Sequence, residues 1–396
     1  MKLSVIVPLY QGQEYIKNII TTLEMCTEKL NEDTVVELVL SNDFPEDKIF
    51  GVYFSDVIDI ITLDTDINRG IHGARGNGFF NSTGNYAVFL DQDDWISENY
   101  LASQIERLNN SKVDAVVCRA KENGREIYNK ASPFEKTIDY LNMVSVGNTI
   151  VSPGQVLIRR EAVPDIWLNN ILKNNGVDDW FLWICMMRQG CHFVLNDDIL
   201  FEHRIDGSNL SWNSGKMLLS EKEMLEIIKA KALLDETMLG KLEQVIESEQ
   251  QRYISFLEKY RAMFFIYDKW MHLECLKECL SKYLYQREIR KVAIYGMGFI
   301  GKQLVDRLKG TEILVCGAID RNAGFIDSEV PVMRIGELDK KPDLIIVTVI
   351  ENTEKIIQDI EHEINIPAVA IQQLLESWEQ GGQIQYGRNE HCTDNR

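Results

Sequence analysis

The sequence predicts an α/β fold in three parts: two open, largely parallel sheets joined by a helical connector. Three observations carry that prediction. Short apolar runs alternate with segments of helical period between residues 3 and 201, the pattern of strands linked by crossover helices. Residues 220–286 then lose almost all glycine and proline, with Gly240 the one break. From Lys291 the strand, glycine turn and helix pattern returns around Gly296, Gly298 and Gly301. The predicted boundaries are 1–215 for the first α/β domain, 216–288 for the connector and 289–380 for a small Rossmann-like domain. A polar tail, 381–396, is expected to be disordered.

Leu3 to Val7 reads as a buried strand stopped by Pro8. Residues 13–30 place Ile16, Ile19, Ile20 and Leu23 on one helical face. Val35 to Leu40 and Ile58 to Leu63 are further strands, ending in Ser41-Asn42-Asp43 and in Asp64. Strands that end in polar residues along one edge form a ligand crevice. Asn68 to Gly78 follows, with four glycines in the nine residues from Gly70. It reads as a glycine-rich loop able to approach a ligand closely, and Arg69 and Arg75 suit bidentate contact with a diphosphate.

The apolar run Ala87 to Leu90 ends in Asp91, Asp93 and Asp94. Clustered carboxylates at the end of a buried strand repel and resist desolvation. A divalent cation relieves that conflict, and Mg²⁺ or Mn²⁺ is typically held by one or two carboxylates plus phosphate oxygens. The plain alternative is a solvated acidic turn.

Val113 to Cys118 is another strand, residues 123–146 give no clear pattern, and Pro153 to Arg160 reads as a strand with a basic end. Asp178-Asp179 open an apolar helix, Trp180 to Arg188, a place where capping and the helix dipole also favour carboxylates. Phe193 to Leu195 and Ile199 to Phe201 read as two strands flanking an acidic pair, with His203 and Asp206 just beyond. Ser220 and Glu223 match a capping box. Leu242, Val245, Ile246, Tyr253, Phe256, Leu257, Tyr260, Met263, Phe264 and Tyr267 then recur at three- and four-residue steps. That is an amphipathic helix packed on another element or on a second subunit, a homodimer through the connector. Its glutamate-rich polar face disfavours a membrane surface.

In the third part Asp320 follows Gly301 by 19 residues, the spacing of a ribose-binding acid after GxGxxG. Gly296, Gly298, Gly301 and Asp320 form a candidate site for a nucleotide or NAD-like ligand. The turn is equally compatible with packing alone, because only one mononucleotide-binding half is present and no Tyr-x-x-x-Lys dyad follows.

The chain has 396 residues, is 45% hydrophobic and 26% charged, and carries a net charge of -19. That balance excludes a nucleic-acid binder, which needs a basic footprint. No run of 18 apolar residues predicts a transmembrane segment, and the N-terminus lacks a signal-peptide pattern. The eight cysteines include no CxxC pair and read as reduced thiols of a cytoplasmic protein. His272, Cys275 and Cys279 lack a fourth zinc ligand.

Residues 1 to about 212 resemble a family 2 glycosyltransferase of GT-A fold, the nucleotide-diphospho-sugar transferase architecture. The resemblance rests on Ser4-Val-Ile-Val-Pro8-Leu-Tyr10, Ser41-Asn42-Asp43, Asn68-Arg69-Gly70 through Ala74-Arg75, Phe89-Leu90-Asp91-Gln92-Asp93-Asp94 as a DxD motif, and Asp178-Asp179 in place of Glu-Asp. Phe44-Pro45 and Gly76 depart from the family pattern. The resemblance implies an inverting, metal-dependent transfer from a nucleotide-sugar, UDP-linked, to an acceptor hydroxyl on a glycan, lipid-linked or protein acceptor. The implied setting is cell-surface polysaccharide or glycoprotein assembly, in the cytoplasm or peripheral at the inner face of the membrane. Pro8, Tyr10 and Asp43 would line the nucleoside pocket, Arg75 the diphosphate or donor sugar, and Asp91 the ribose. Asp93 would hold Mn²⁺ or Mg²⁺ with His203, Asp206 being the other choice, and Asp179 would be the catalytic base. The alternative is a non-catalytic scaffold or regulatory subunit of polysaccharide assembly with a degenerate site.

Overall fold

A computed structural model describes residues 1–49, 53–109, 113–204, 214–338 and 341–384. Asp206, weighed above as a metal ligand, and the tail from residue 385 lie outside the described residues. The chain divides into two units, residues 1–253 and 254–396.

The first unit opens with β1 (Lys2–Leu9), α1 (Gln13–Thr27), β2 (Val35–Asn42) and β3 (Asp59–Leu63). Next come α2 (Gly70–Asn81), β4 (Tyr86–Phe89), β5 (Trp95–Ile96), α3 (Tyr100–Asn109), β6 (Ala115–Glu122) and β7 (Arg125–Glu126). Then follow α4 (Tyr140–Ser145), β8 (Val156–Arg159), α5 (Asp165–Leu168), α6 (Asp178–Arg188) and β9 (Phe193–His203). The described strands form one mixed sheet in the order β3-β2-β1-β4-β8-β6-β9-β5, with β7 beside β6. The first four run parallel. Their near-continuous apolar runs fit burial on both faces, and Val5, Ile6, Val7, Leu38, Val39 and Val88 are all fully covered. Because Pro8 aligns with Ser41 and Ile6 with Phe89, the carboxyl ends of β1, β2 and β4 lie side by side.

Beneath the sheet's carboxyl edge, Glu37 ties the other end together. Its buried carboxylate accepts from Ser4 Oγ at 2.6 Å, from Thr83 Oγ1 at 2.8 Å and from Gly84 N at 3.0 Å, and it pairs with Lys2 at 2.7 Å.

Three local readings change in the fold. The glycine-rich segment expected as a loop is the helix α2. Its glycines serve contact with the sheet: a Cβ at Gly78 would lie 2.4 Å from Ile6 Cγ2. The two expected strands around Asp197-Asp198 are one strand, β9, whose register against β6 shifts at Arg119 and leaves both aspartates exposed. Ser220 and Glu223 do not cap a helix, because α7 (Ser214–Ala230) begins six residues earlier. Ser220 Oγ instead donates to Asn174 O at 2.8 Å and accepts from Val177 N at 3.1 Å. Glu223 accepts from Lys173 N and Asn174 N at 2.8 and 2.9 Å. Thus α7 is clamped onto the loop that leads into Asp178-Asp179.

The helix α8 (Glu236–Leu276) runs straight through Gly240. The break lies earlier, at residues 231–235, where Ala232 adopts φ +47°. The segment expected as a connector is divided between the units: Leu242 and Ile246 belong to the first core, and Ile266, Trp270 and Leu273 to the second.

The second unit adds α9 (Leu280–Gln286), β10 (Lys291–Tyr295), α10 (Phe299–Leu308), β11 (Leu314–Ile319), β12 (Val332–Met333), β13 (Leu344–Val347), α11 (Thr353–Ile364), β14 (Ala368–Ala370) and α12 (Ile371–Gln380). Its strands are all parallel, in the order β12-β11-β10-β13-β14, with apolar clusters on both sheet faces. No helix among the described residues is long and apolar enough to cross a membrane.

Candidate active site

The carboxyl edge of the first sheet opens into a cleft of about 930 Å³, large for a small-molecule site. Pro8, Tyr10, Asp43, Arg75, Asp91, Asp93, Asp179 and His203 all line it. Residues separated by up to 195 positions in the sequence therefore meet in one place.

At the first strand, Tyr10 projects half-exposed from the loop after β1 and meets the Phe44 ring edge-on at 5.0 Å. Gln92 clamps this loop: its Oε1 accepts from Tyr10 N at 3.0 Å and its Nε2 donates to Tyr10 O at 3.2 Å. A Cβ at Gly12 would fall 2.0 Å from that same Oε1, so the glycine is required by the clamp. Asp43 is buried and accepts from Arg69 N at 2.7 Å, just before α2. Burial pushes its pKa up, against those backbone donors.

Arg75, expected near the diphosphate or donor sugar, lines the cleft and is engaged by protein carboxylates. Its side chain is 4% exposed and bridges two carboxylates, Asp91 at 2.5 Å and Asp178 at 2.7 Å. Burial works against its charge, but Asp178, Asp91 and Asp179 more than compensate and raise its pKa. The helix α2 thus supplies a buried cation that ties the end of β4 to the start of α6.

Asp94, which the sequence offers only as one acid of the cluster, has a fully covered side chain and organises this corner of the cleft. Its Oδ1 lies 2.8 Å from His203 Nδ1, and its Oδ2 accepts from Ser152 Oγ at 2.8 Å. The carboxylate fixes the imidazole through Nδ1, so Nε2 is the nitrogen with which the ring could ligate, as where outer carboxylates orient metal-binding histidines. Asp93 is pushed up to about 6 by burial and by repulsion from Asp94 and Asp91. No three His, Cys, Asp or Glu side chains converge as a metal site among the described residues. Asp93 and His203 would be two protein ligands, with phosphate oxygens completing the shell, a donor set that suits Mg²⁺ or Mn²⁺. The residues present fit such a cation.

Asp179 stands at the N-terminus of α6 across the cleft. Its Oδ2 accepts from Asn148 Nδ2 at 2.9 Å and its Oδ1 from Trp180 N at 2.7 Å. Burial, then repulsion by Asp178, push its pKa up to about 7, with Arg75 opposing. A carboxylate so tuned accepts a proton at neutral pH. Asn148 lies just past the unpatterned stretch 123–146, in a segment read as no element, so nothing there announced it.

The second unit's glycine turn is tightly packed. Gly296 adopts φ +96°, and a Cβ at Gly301 would lie 2.0 Å from Gly296 O. Both oxygens of Asp320 are engaged by the turn itself, Oδ2 with Met297 N at 2.8 Å and Oδ1 with Asn322 N at 2.9 Å. Gly298 alone faces open space.

The sequence model of glycosyl transferase family 2 matches residues 4–167. The chain is 30% identical over 118 residues to Glycosyltransferase GlyA of Streptococcus pneumoniae, a match covering 29% of this chain and 16% of that protein. It is 26% identical over 211 residues to an uncharacterized glycosyltransferase of Haemophilus influenzae, covering 51% of this chain and 76% of that one. The chain therefore spans only a small part of the pneumococcal relative. Among solved structures it is similar to Staphylococcus aureus TarS 1-349 in complex with UDP-GlcNAc, at 14% identity and a TM-score of 0.44, covering 65% of this chain and 73% of that one. The match to glycosyl transferase family 2 thus covers residues 4–167, the part of the chain that carries β1, β2, β4 and the Asp91-Gln92-Asp93 stretch.

Proposed function

We propose that this chain transfers a sugar from a nucleotide-sugar, a UDP-linked one, to an acceptor hydroxyl with inversion at the anomeric carbon. The observation that carries the reading is the pairing, within one cleft, of Asp179 tuned to about 7 with the DxD carboxylates opposite it. Tyr10 and Asp43 would take the nucleoside and Asp91 the ribose. Asp93 and His203 would hold Mn²⁺ or Mg²⁺, which supplies Lewis-acid neutralisation of the diphosphate leaving group. Asp179, steadied by Asn148, would remove the acceptor's hydroxyl proton as the oxygen attacks from the face opposite the departing diphosphate. General base catalysis of this kind contributes typically ~10²–10⁴-fold.

The charge of the cleft supports the cation. Among the described residues eight carboxylates line it against Arg75, Lys216 and His203, and Arg75 is already engaged by two aspartates. A diphosphate entering such a site needs a metal. The two departures from the family pattern fit a working site rather than the scaffold alternative: Phe44 packs on Tyr10, and Gly76 faces Ile171, not the cleft. On the resemblance alone the setting is cell-surface polysaccharide or glycoprotein assembly. Self-association would use α8, where Leu257, Tyr260, Phe264 and Met271 are exposed at heptad-like steps.

A thermal-shift screen of the full chain against nucleotide-sugars, with and without Mn²⁺, tests the reading. A ligand of the native state raises Tm by mass action. Metal-dependent stabilisation by one nucleotide-sugar is expected; no shift with any donor would return the scaffold reading.

A further inference from the structure

The cleft has a wall that the family's motifs do not reach. The matched region ends at residue 167, yet Lys216, Met217, Glu221, Val245 and Glu249, from α7 and the start of α8, line the same cleft as Asp179. These helices are held against the loop before Asp179 at close range. Ser220 and Glu223 bind its backbone, and a Cβ at Gly176 would lie 2.9 Å from Met217 Sδ.

On this wall Glu221 is 9% exposed, and its Oε2 is buried with no hydrogen-bond partner among the described residues. A buried carboxylate oxygen left unpaired forfeits its hydration without a replacement, and the great majority of buried polar atoms are satisfied. Nearby Glu249 is half-buried and pairs at 2.6 Å with the exposed Arg252. Burial and the Glu249 charge push Glu221 up to about 7, with Arg252 opposing. The wall therefore holds an unused acceptor oxygen near a second carboxylate, in the same cleft as the candidate base and outside the residues assigned to the donor.

We propose that Glu221 and Glu249 form the acceptor-binding wall, and that they bind a neutral glycan through its sugar hydroxyls. The inference rests on the glycosyltransferase reading above and names its acceptor class. Sugar hydroxyls donate to carboxylates, which would satisfy Glu221 Oε2. A polyanionic acceptor would meet Glu221, Glu249, Asp178 and Asp179 with Lys216 as the facing cation, an arrangement in which like charges repel. Val245 and Met217 beside the pair offer the apolar contact that a sugar ring's C–H face takes.

The test uses the full chain with Mn²⁺. Neutral cello-, chito- and galacto-oligosaccharides and two polyanions, hyaluronan and polyphosphate, are titrated calorimetrically into wild type, Glu221→Gln and Glu249→Gln. Donor affinity is measured separately by the nucleotide-sugar thermal shift. At least one neutral oligosaccharide should bind, with Kd raised about tenfold in Glu221→Gln and less in Glu249→Gln, whereas donor affinity stays as in wild type. Losing one hydrogen bond to a charged group sets that scale. Preference for a polyanion, binding of no neutral oligosaccharide, or an unchanged Kd in both variants would overturn the proposal. Failure of the glycosyltransferase reading would show instead as loss of any donor shift in the wild-type chain.

Discussion

Replacing Arg75 with methionine separates an architectural role from a donor-binding one. The guanidinium is 4% exposed and Asp178, its partner at 2.7 Å, is 2% exposed, while Asp91 is 22% exposed. Methionine fills most of the volume, so the cavity contribution is small. Asp91 would rehydrate, but Asp178 would be left as a buried charge without a counter-ion. Breaking a buried pair in this way costs about 3–5 kcal/mol. The N-terminus of α6, where Asp178 sits, returns up to about 1 kcal/mol through the helix dipole. A net loss of about 3 kcal/mol corresponds to a Tm drop of roughly 6–12 °C for a unit of this size. Trp167 and Trp183 are fully buried in this unit, and Trp167 Nε1 donates to Asp178 O at 2.8 Å, so tryptophan fluorescence reports the relevant unfolding. The double variant Arg75→Met with Asp178→Asn should regain at least half of the loss, because the orphaned charge is gone. A Tm within 2 °C of wild type, estimated against the same scale, together with a raised donor KM, would refute the framework role and restore Arg75 to the donor.

Asp94→Asn should lower Mn²⁺ affinity by roughly 10–100-fold, since it removes the carboxylate that fixes His203; isothermal titration of the chain with Mn²⁺ reads this, and an unchanged affinity would remove His203 from the metal corner. Glu37 is held near 2 because Lys2, Ser4 and Thr83 outweigh the effect of its burial. Its contribution is therefore present above the unfolded carboxylate range and lost as pH falls from about 4.5 towards 2. Glu37→Gln should cost about 2–3 kcal/mol at pH 7 and flatten the decline of Tm with acid; a parallel decline in both proteins would assign acid sensitivity elsewhere. Phe264→Glu should shift any dimer seen by sedimentation to monomer, and an unaltered sedimentation coefficient at matched concentration would free α8 of that role.

That the strand-end residues Pro8, Asp43, Asp91 and Asp93 share one cleft was legible because strand ends announce themselves. An apolar run that stops at Asp43 or at Asp91 fixes both the depth of the strand and the edge where its polar residues emerge. What stayed hidden depends on contacts between distant segments. Asp94 reads as a third acid in a cluster until His203 and Ser152 are placed beside it. The pairing of Arg75 with Asp91 and Asp178 joins positions 16 and 103 residues apart, which no local pattern shows. Ser220 and Glu223 have the local spacing of a cap, yet they satisfy the backbone of residues 173–177 instead. Local patterns name donors and acceptors; the chain's fold decides which partner each one meets.

The central claim is that Asp179 is the base of a transfer reaction whose donor is held elsewhere in the cleft. Asp179→Asn preserves shape and the Asn148 and Trp180 neighbours while abolishing basicity at neutral pH. Transfer rate and donor affinity, measured on the same preparation with the nucleotide-sugar identified by thermal shift, test the claim together. The rate should fall by ~10²–10⁴-fold, with donor Kd close to wild type, and the wild-type rate should decline as pH drops below about 7, where Asp179 takes up its proton. A variant that keeps most of the wild-type rate would contradict the assignment and move the base to another residue, Asp178 first.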